Sequence, residues 1–207
     1  MDVLTHLSID LFPIIILLII WMDNEKKITR TADKWLLGVL ALISIGLMLV
    51  NILISSLTGA GWTAGPFLWI PYILQALSAV TMKGTWLLFV CNRLFTGGHK
   101  QLRQHVLRIS SVLFVLFFLL AVTTPWSGLL FGRSESGFGR GPGWWLSWLF
   151  CALFLAECMG ISLYLYSHEA IRDHRAEESQ FFWLSLGILA GVSAEYFWES
   201  WWFAAPS

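Results

Sequence analysis

Long apolar stretches separated by short polar ones dominate the chain. A helix that crosses the hydrocarbon core of a bilayer needs about 20 predominantly apolar residues. Six stretches approach that length, and the pattern therefore predicts six membrane-spanning helices. Their approximate ranges are 9–22, 35–57, 67–91, 109–124, 144–166 and 181–203. We expect the fourth helix to stop at Pro125, because proline disrupts a continuing helix.

Composition narrows the class further. Apolar residues make up 57% of the chain and charged residues 13%, whereas a soluble domain carries roughly 25% charged residues. These values exclude a soluble globular enzyme and a disordered regulator. Lys and Arg together number 13, as do Asp and Glu, so no basic excess exists to bind nucleic acid. We expect one all-α, polytopic integral-membrane bundle over residues 1–207, with the lipid bilayer as its partner.

The basic residues are distributed unevenly between the two sets of loops. The loops after the first, third and fifth segments hold ten Lys and Arg residues, whereas the opposite side holds Arg133 and Arg140. Lys and Arg are enriched in cytoplasmic loops. This bias predicts a multi-pass protein of the cell membrane with the odd-numbered loops in the cytoplasm and both termini outside.

The segment that follows Pro125 contains two short apolar runs punctuated by Gly and Ser. The runs are 129–131 and the single residue Phe138. Short apolar runs bounded by Gly and Ser are typical of a β-hairpin. We therefore predict a small extracellular hairpin between the fourth and fifth helices.

The tryptophans are concentrated at the predicted outer face. Nine lie at or near it, and three lie at the inner face. Two interpretations remain open, an interfacial aromatic belt and an aromatic-lined pocket that opens outward. Trp69 and Trp198 are the candidates from this group for ligand binding. The nine are Trp62, Trp69, Trp126, Trp144, Trp145, Trp148, Trp198, Trp201 and Trp202.

Ionisable residues inside predicted spans are functional candidates, because burying charge in a bilayer is costly. Lys83 lies in the third segment and Glu157 in the fifth, at similar predicted depths. An ion pair between them is one hypothesis. Such a pair could be structural and fix helix packing, or it could respond to a ligand or a proton and hold a switch.

The sixth segment carries two carboxylates on one face. Glu195 and Glu199 are four residues apart, and Gly187 and Gly191 continue the same stripe. Glu195 is the deeper of the two and needs a partner, for which Lys83, Gln75 or a bound cationic ligand are the candidates. Mid-segment amides such as Asn51 and Gln75 more often form interhelical hydrogen bonds than bind ligands.

The sequence gives no sign of a metal site, a cofactor or a catalytic centre. The three cysteines lie in apolar stretches without a CxxC spacing, and the five histidines fall outside the predicted spans. A haem held between the predicted helices would therefore find no histidine to serve as an axial ligand. Signatures of intramembrane proteases are also missing, so we expect this chain not to be an enzyme by itself.

Several short motifs resemble one family along the whole chain. They are Asp10, the basic pair Lys26–Lys27, the run Gly128–Leu129–Leu130–Phe131, then Phe138, and Arg140–Gly141–Pro142 before Trp144. In order and spacing they resemble the N-terminal seven-helix sensor region of bacterial histidine kinases and GGDEF-type diguanylate cyclases. That family often has Tyr where Phe138 stands. Its seventh helix and its cytoplasmic effector are absent from these 207 residues.

The resemblance implies a sensory region that binds a small ligand or senses the state of the envelope from outside. The signal would be a population shift between two helix packings, passed inward by a seventh helix. Homodimerisation is expected only by analogy to the family. Two alternatives remain, a substrate-capture subunit of a small membrane transporter and a non-catalytic membrane assembly protein.

Overall fold

The computed structural model describes residues 31–59, 68–95, 100–134, 137–168 and 175–204. Almost all of these residues are helical. In chain order the helices are α1 (Thr31–Gly59), α2 (Trp69–Leu94), α3 (Lys100–Ser127), α4 (Trp145–His168) and α5 (Arg175–Ala204). Between α3 and α4 lie the strands β1 (Phe131–Ser134) and β2 (Gly137–Arg140).

Four helices are long and apolar enough to cross a membrane. Their spans are Ala32–Leu57, Trp69–Leu94, Lys100–Ser127 and Trp145–Ser167. The predicted segment 9–22 lies outside the described residues. In α5 the apolar stretch found among the described residues is Ser179–Ala194, which is shorter than a full span. The structure thus supports a helical membrane protein with four candidate spans, and the count of six stays a prediction.

Side-chain contacts show how neighbouring helices run. Asp33 and Asn51 of α1 contact Asn92 and Gln75 of α2 respectively, so α1 and α2 are antiparallel. α2 also packs against α3 and α4, and α4 packs against α5. We call the end that carries Arg93, Lys100 and Arg103 the basic end of the bundle. The opposite end, where β1 and β2 lie, is the strand end.

The core lies between α2 and α4. Apolar residues at helical spacing are buried on α4, including Cys151, Phe154, Leu155 and Cys158, and they face Val80, Leu87 and Val90 of α2. Such i, i+3, i+4, i+7 spacing places one continuous stripe against the neighbouring helix. These two helices therefore form the centre of the bundle.

α3 is held by a much narrower stripe. Its buried residues are Ser110, Phe117, Ala121 and Thr124, and its other faces expose large apolar side chains. An exposed face of this kind is stable when hydrocarbon rather than water surrounds it. The exposed set on this helix is Ile109, Val112, Val115, Leu116, Phe118, Leu119 and Val122.

Both ends of α3 differ from the prediction of 109–124. The helix begins at Lys100 because Leu102, Val106 and Leu113 pack against the core at helical spacing. It also continues past Pro125 to Ser127. A proline in the last turn removes little helical hydrogen bonding, and the Gly128 N–H donates to the Thr124 carbonyl oxygen at 2.8 Å. Gly128 then leaves the helix with a φ of 64°, which glycine adopts readily.

The two strands pair antiparallel, with Phe131 opposite Arg140 and Ser134 opposite Gly137. Residues 135–136, where the turn of a hairpin would lie, are outside the described residues. The side of the membrane on which the strands lie stays a prediction. Leu130 and Phe131 are buried against the bundle, so β1 closes the strand end of the core.

Candidate functional site

A carboxylate inside a candidate span contacts a neighbouring helix through a serine. Glu157 lies midway along α4, and its Oε2 is 2.7 Å from the Ser110 hydroxyl of α3. Ser110 is buried with 9% of its surface exposed. This hydrogen bond is a polar link between α3 and the core helices, and it makes Glu157 the best-defined site candidate.

Two proton arrangements fit the geometry at Ser110. The same hydroxyl is also 2.8 Å from the Val106 carbonyl oxygen, and a hydroxyl carries one proton. Ser110 can donate to an ionised Glu157 and leave Val106 with a weakened bond. Alternatively, Ser110 donates its proton to the Val106 carbonyl oxygen. Its oxygen then accepts a hydrogen bond from the protonated carboxyl group of a neutral Glu157. The contact can thus exist in two states.

A second polar link joins α2 and α4 to α5. The Trp86 indole N–H of α2 donates to the Ser185 hydroxyl of α5 at 3.1 Å. Nearer the strand end, the Trp148 indole N–H of α4 donates to Ser193 at 3.2 Å. Sequence reasoning did not single out these serines, since a serine in an apolar helix carries no distinctive pattern.

Gln75 is placed as an interhelical hydrogen-bonding group. Its amide nitrogen Nε2 donates to Asn51 Oδ1 at 2.9 Å, joining α2 to α1. This is the role that amides in membrane helices most often take. A role for Gln75 in ligand binding stays a prediction.

Lys83 and Trp69 both lie on α2. Lys83 is only 7% exposed, as expected for a charged group inside a bundle. Its pairing with Glu157 stays a prediction, because the contact described for the Glu157 carboxylate is the Ser110 hydroxyl. Trp69 begins α2 at the strand end and packs against the core.

The remaining candidates are on the last part of α5. Glu195, Trp198 and Glu199 lie within the helix bounds, but their side chains are outside the described part of the chain. The predicted carboxylate stripe and the proposed partners of Glu195 therefore stay predictions.

A buried carboxylate that sequence reasoning missed lies at the basic end. Asp33 of α1 is fully buried, and it accepts hydrogen bonds from Asn92 Nδ2 and from Arg93 Nη1, the latter at 3.4 Å. The contact ties the beginning of α1 to the end of α2. An acidic residue in the first turn of a helix is a recognisable signal. The predicted segment began at residue 35, so Asp33 fell outside it and was not considered as part of the helix.

Aromatic rings pack in a row at the strand end. Phe131 of β1 lies between Tyr72 of α2 and Trp144, with ring centroids 5.0 Å apart in each pair. The Arg140 guanidinium lies 4.7 Å from the centre of the Trp144 ring, a cation–π contact. The row packs β1 and β2 onto the helices, so part of the predicted outer aromatic group has a structural role.

Comparison with known proteins assigns no function to these contacts. No family model, curated protein or solved structure matches the chain. Within the described ranges, no three His, Cys, Asp or Glu side chains come together as a metal site would require. The fold and the composition together indicate a helical membrane protein, and the polar contacts between its helices are the features that a function can be argued from.

Proposed function

We propose that this chain is the membrane-embedded signal-input domain of a bacterial signalling protein. The resemblance to sensor regions of histidine kinases and diguanylate cyclases supports this proposal. The observation that carries it is the contact between Glu157 of α4 and Ser110 of α3. Intramembrane carboxylates are costly and mark functional positions by default.

The contact suits a switch because each of its two proton arrangements can favour a different packing of α3 against α4. In one arrangement an ionised Glu157 accepts from Ser110, and in the other a neutral Glu157 donates to it. A stimulus that favours one arrangement shifts the population of helix packings, provided that it binds or acts on the two states differently.

The narrow packing of α3 supports the same mechanism. Ser110 is one of four buried residues on this helix, and its bond to Glu157 is the side-chain hydrogen bond described between α3 and α4. A helix with fewer fully buried side chains than its neighbours α2 and α4 can shift at a lower cost in free energy than they can. We place the stimulus, a small ligand or a change in envelope state, at the outer face of the membrane, with the basic loops in the cytoplasm.

The experiment measures the distance between α3 and α4 by spin labelling in lipid nanodiscs. Labels at His105→Cys and Leu163→Cys occupy exposed positions on the two helices, while the native cysteines are buried. The protein that carries only these two label sites, called the background protein, should show two distance populations. Glu157→Gln, which fixes a neutral side chain, should keep one population, and Ser110→Ala should favour the population with the helices farther apart.

Ser162→Ala is the matched control. Ser162 is also a buried serine, but its hydroxyl bonds the Cys158 carbonyl oxygen within its own helix at 2.9 Å. This variant should reproduce the two populations of the background protein. If all four proteins give the same single distance, the contact is structural and the switch is wrong.

A further inference from the structure

A groove opens at the basic end, where α1, α2 and α3 come together. It has a volume of about 400 Å³, within the range of roughly 300–1,000 Å³ usual for small-molecule sites. Three residues of α1, two of α2 and one of α3 form its walls. They are Ala32, Trp35, Leu36, Leu88, Asn92 and Arg103.

The groove combines an apolar part with a polar part. Trp35 is 68% exposed and Leu88 is 44% exposed, so apolar surface faces the region where a bilayer would lie. Asn92 and the exposed Arg103 supply N–H donors beside it. A groove with apolar walls that ends at the Arg103 guanidinium and the Asn92 amide matches a molecule with a hydrocarbon chain and an anionic head.

The charge around the groove favours an anion. The nearby carboxylate of Asp33 is fully buried and accepts hydrogen bonds from Asn92 and Arg93, so it adds no exposed negative charge. Lys100 begins the same helix as Arg103. Basic pockets between membrane helices bind anionic lipid headgroups.

We propose that this groove binds one anionic phospholipid. The headgroup phosphate accepts from the Arg103 guanidinium and from the second N–H of the Asn92 amide, and an acyl chain lies against Leu36 and Leu88. Trp35 then lies at the level of the headgroups, where tryptophan is enriched in membrane proteins. The site is separate from Glu157 and does not depend on the signalling role.

The test is native mass spectrometry of the purified chain, titrated in detergent with phosphatidylglycerol or with phosphatidylcholine of the same acyl chains. The unsubstituted protein should retain one phosphatidylglycerol in preference to phosphatidylcholine. Arg103→Gln should weaken that binding on the order of tenfold, the size expected for losing a hydrogen bond to a charged group.

Arg108→Gln is the matched control, because it removes the same charge from an exposed position of the same helix that does not line the groove. It should bind phosphatidylglycerol as the unsubstituted protein does. Leu88→Trp fills the groove while keeping Arg103, and it should also lose the preferential binding. Its fold is checked by circular dichroism.

Three results would overturn the proposal. Equal weakening by Arg103→Gln and Arg108→Gln would show diffuse surface attraction rather than a site. Equal retention of the two lipids by the unsubstituted protein would show that the groove does not select an anionic headgroup. Displacement of bound phosphatidylglycerol by free inorganic phosphate at an equal concentration would show that the acyl chain contributes nothing to binding.

Discussion

At the scale of single residues, several of the described polar side chains inside this bundle connect helices. Gln75 joins α2 to α1, Glu157 joins α4 to α3, and Trp86 joins α2 to α5. Each bond satisfies polar atoms that hydrocarbon could not. Polar side chains in this protein therefore define which helices are neighbours, as well as marking candidate sites.

Asp33 gives the clearest test at this scale. Asp33→Ala removes the acceptor for the partly exposed Asn92 and Arg93 and should lower the free energy of unfolding by about 1–3 kcal/mol, the size of the lost hydrogen bonds to a charged group. Asp33→Asn keeps an acceptor oxygen and should lower it less. Unfolding can be followed with a thiol-reactive dye, because Cys91, Cys151 and Cys158 are buried until the bundle opens.

The adjacent Lys34→Ala is the control for the Asp33 variants. It changes a charge in the same helical turn without touching the hydrogen bonds to Asn92 and Arg93. Its unfolding temperature should stay close to that of the unsubstituted protein. Equal unfolding temperatures for Asp33→Ala and Lys34→Ala would contradict a stabilising role for the buried carboxylate.

At the scale of elements, hydropathy located the helices, and packing decided their ends. The predicted segments at 35–57, 67–91, 109–124 and 144–166 each lie within or close to a helix of the structure. The ends moved because residues such as Leu102 and Val106 pack at helical spacing within an otherwise polar stretch. Hydropathy averages over such residues and cannot separate them from a loop.

The backbone around the strands provides a test at this scale. A Cβ on Gly141 would collide with the carbonyl oxygens of Gly128 and Leu129. The Gly141 N–H donates to Leu130 at 2.8 Å, so the backbone cannot easily move away. Gly141→Ala should lower the free energy of unfolding by about 1–3 kcal/mol, as overpacking does.

Gly160→Ala is the matched control for Gly141→Ala. Nothing lies within 4 Å of a Cβ at this position in α4, and alanine favours helix more than glycine. This variant should be neutral or slightly stabilising when the thermal unfolding of both glycine variants is followed with the thiol-reactive dye used for Asp33. A Gly141→Ala protein as stable as Gly160→Ala would show that the tight turn after β2 is not formed.

At the scale of the whole molecule, the sequence predicted the class more readily than the site. Apolar composition alone indicates a helical membrane protein, because a bilayer imposes long apolar helices. The partners of Glu157 and Asp33 could not be predicted in the same way. They depend on which helices are adjacent and on their rotation, and a single chain carries no local pattern for Ser110 or Asn92.

The proposed function is that of a membrane-embedded signal-input domain. The most direct measurement is the sequence of the native product, obtained by mass spectrometry of the protein isolated from its own cells. If the proposed function is right, we expect this product to continue past Ser207 into a further apolar helix and then a histidine kinase or diguanylate cyclase domain. A native product that ends at Ser207 would contradict the proposed signalling function and favour a transporter subunit or a membrane assembly protein.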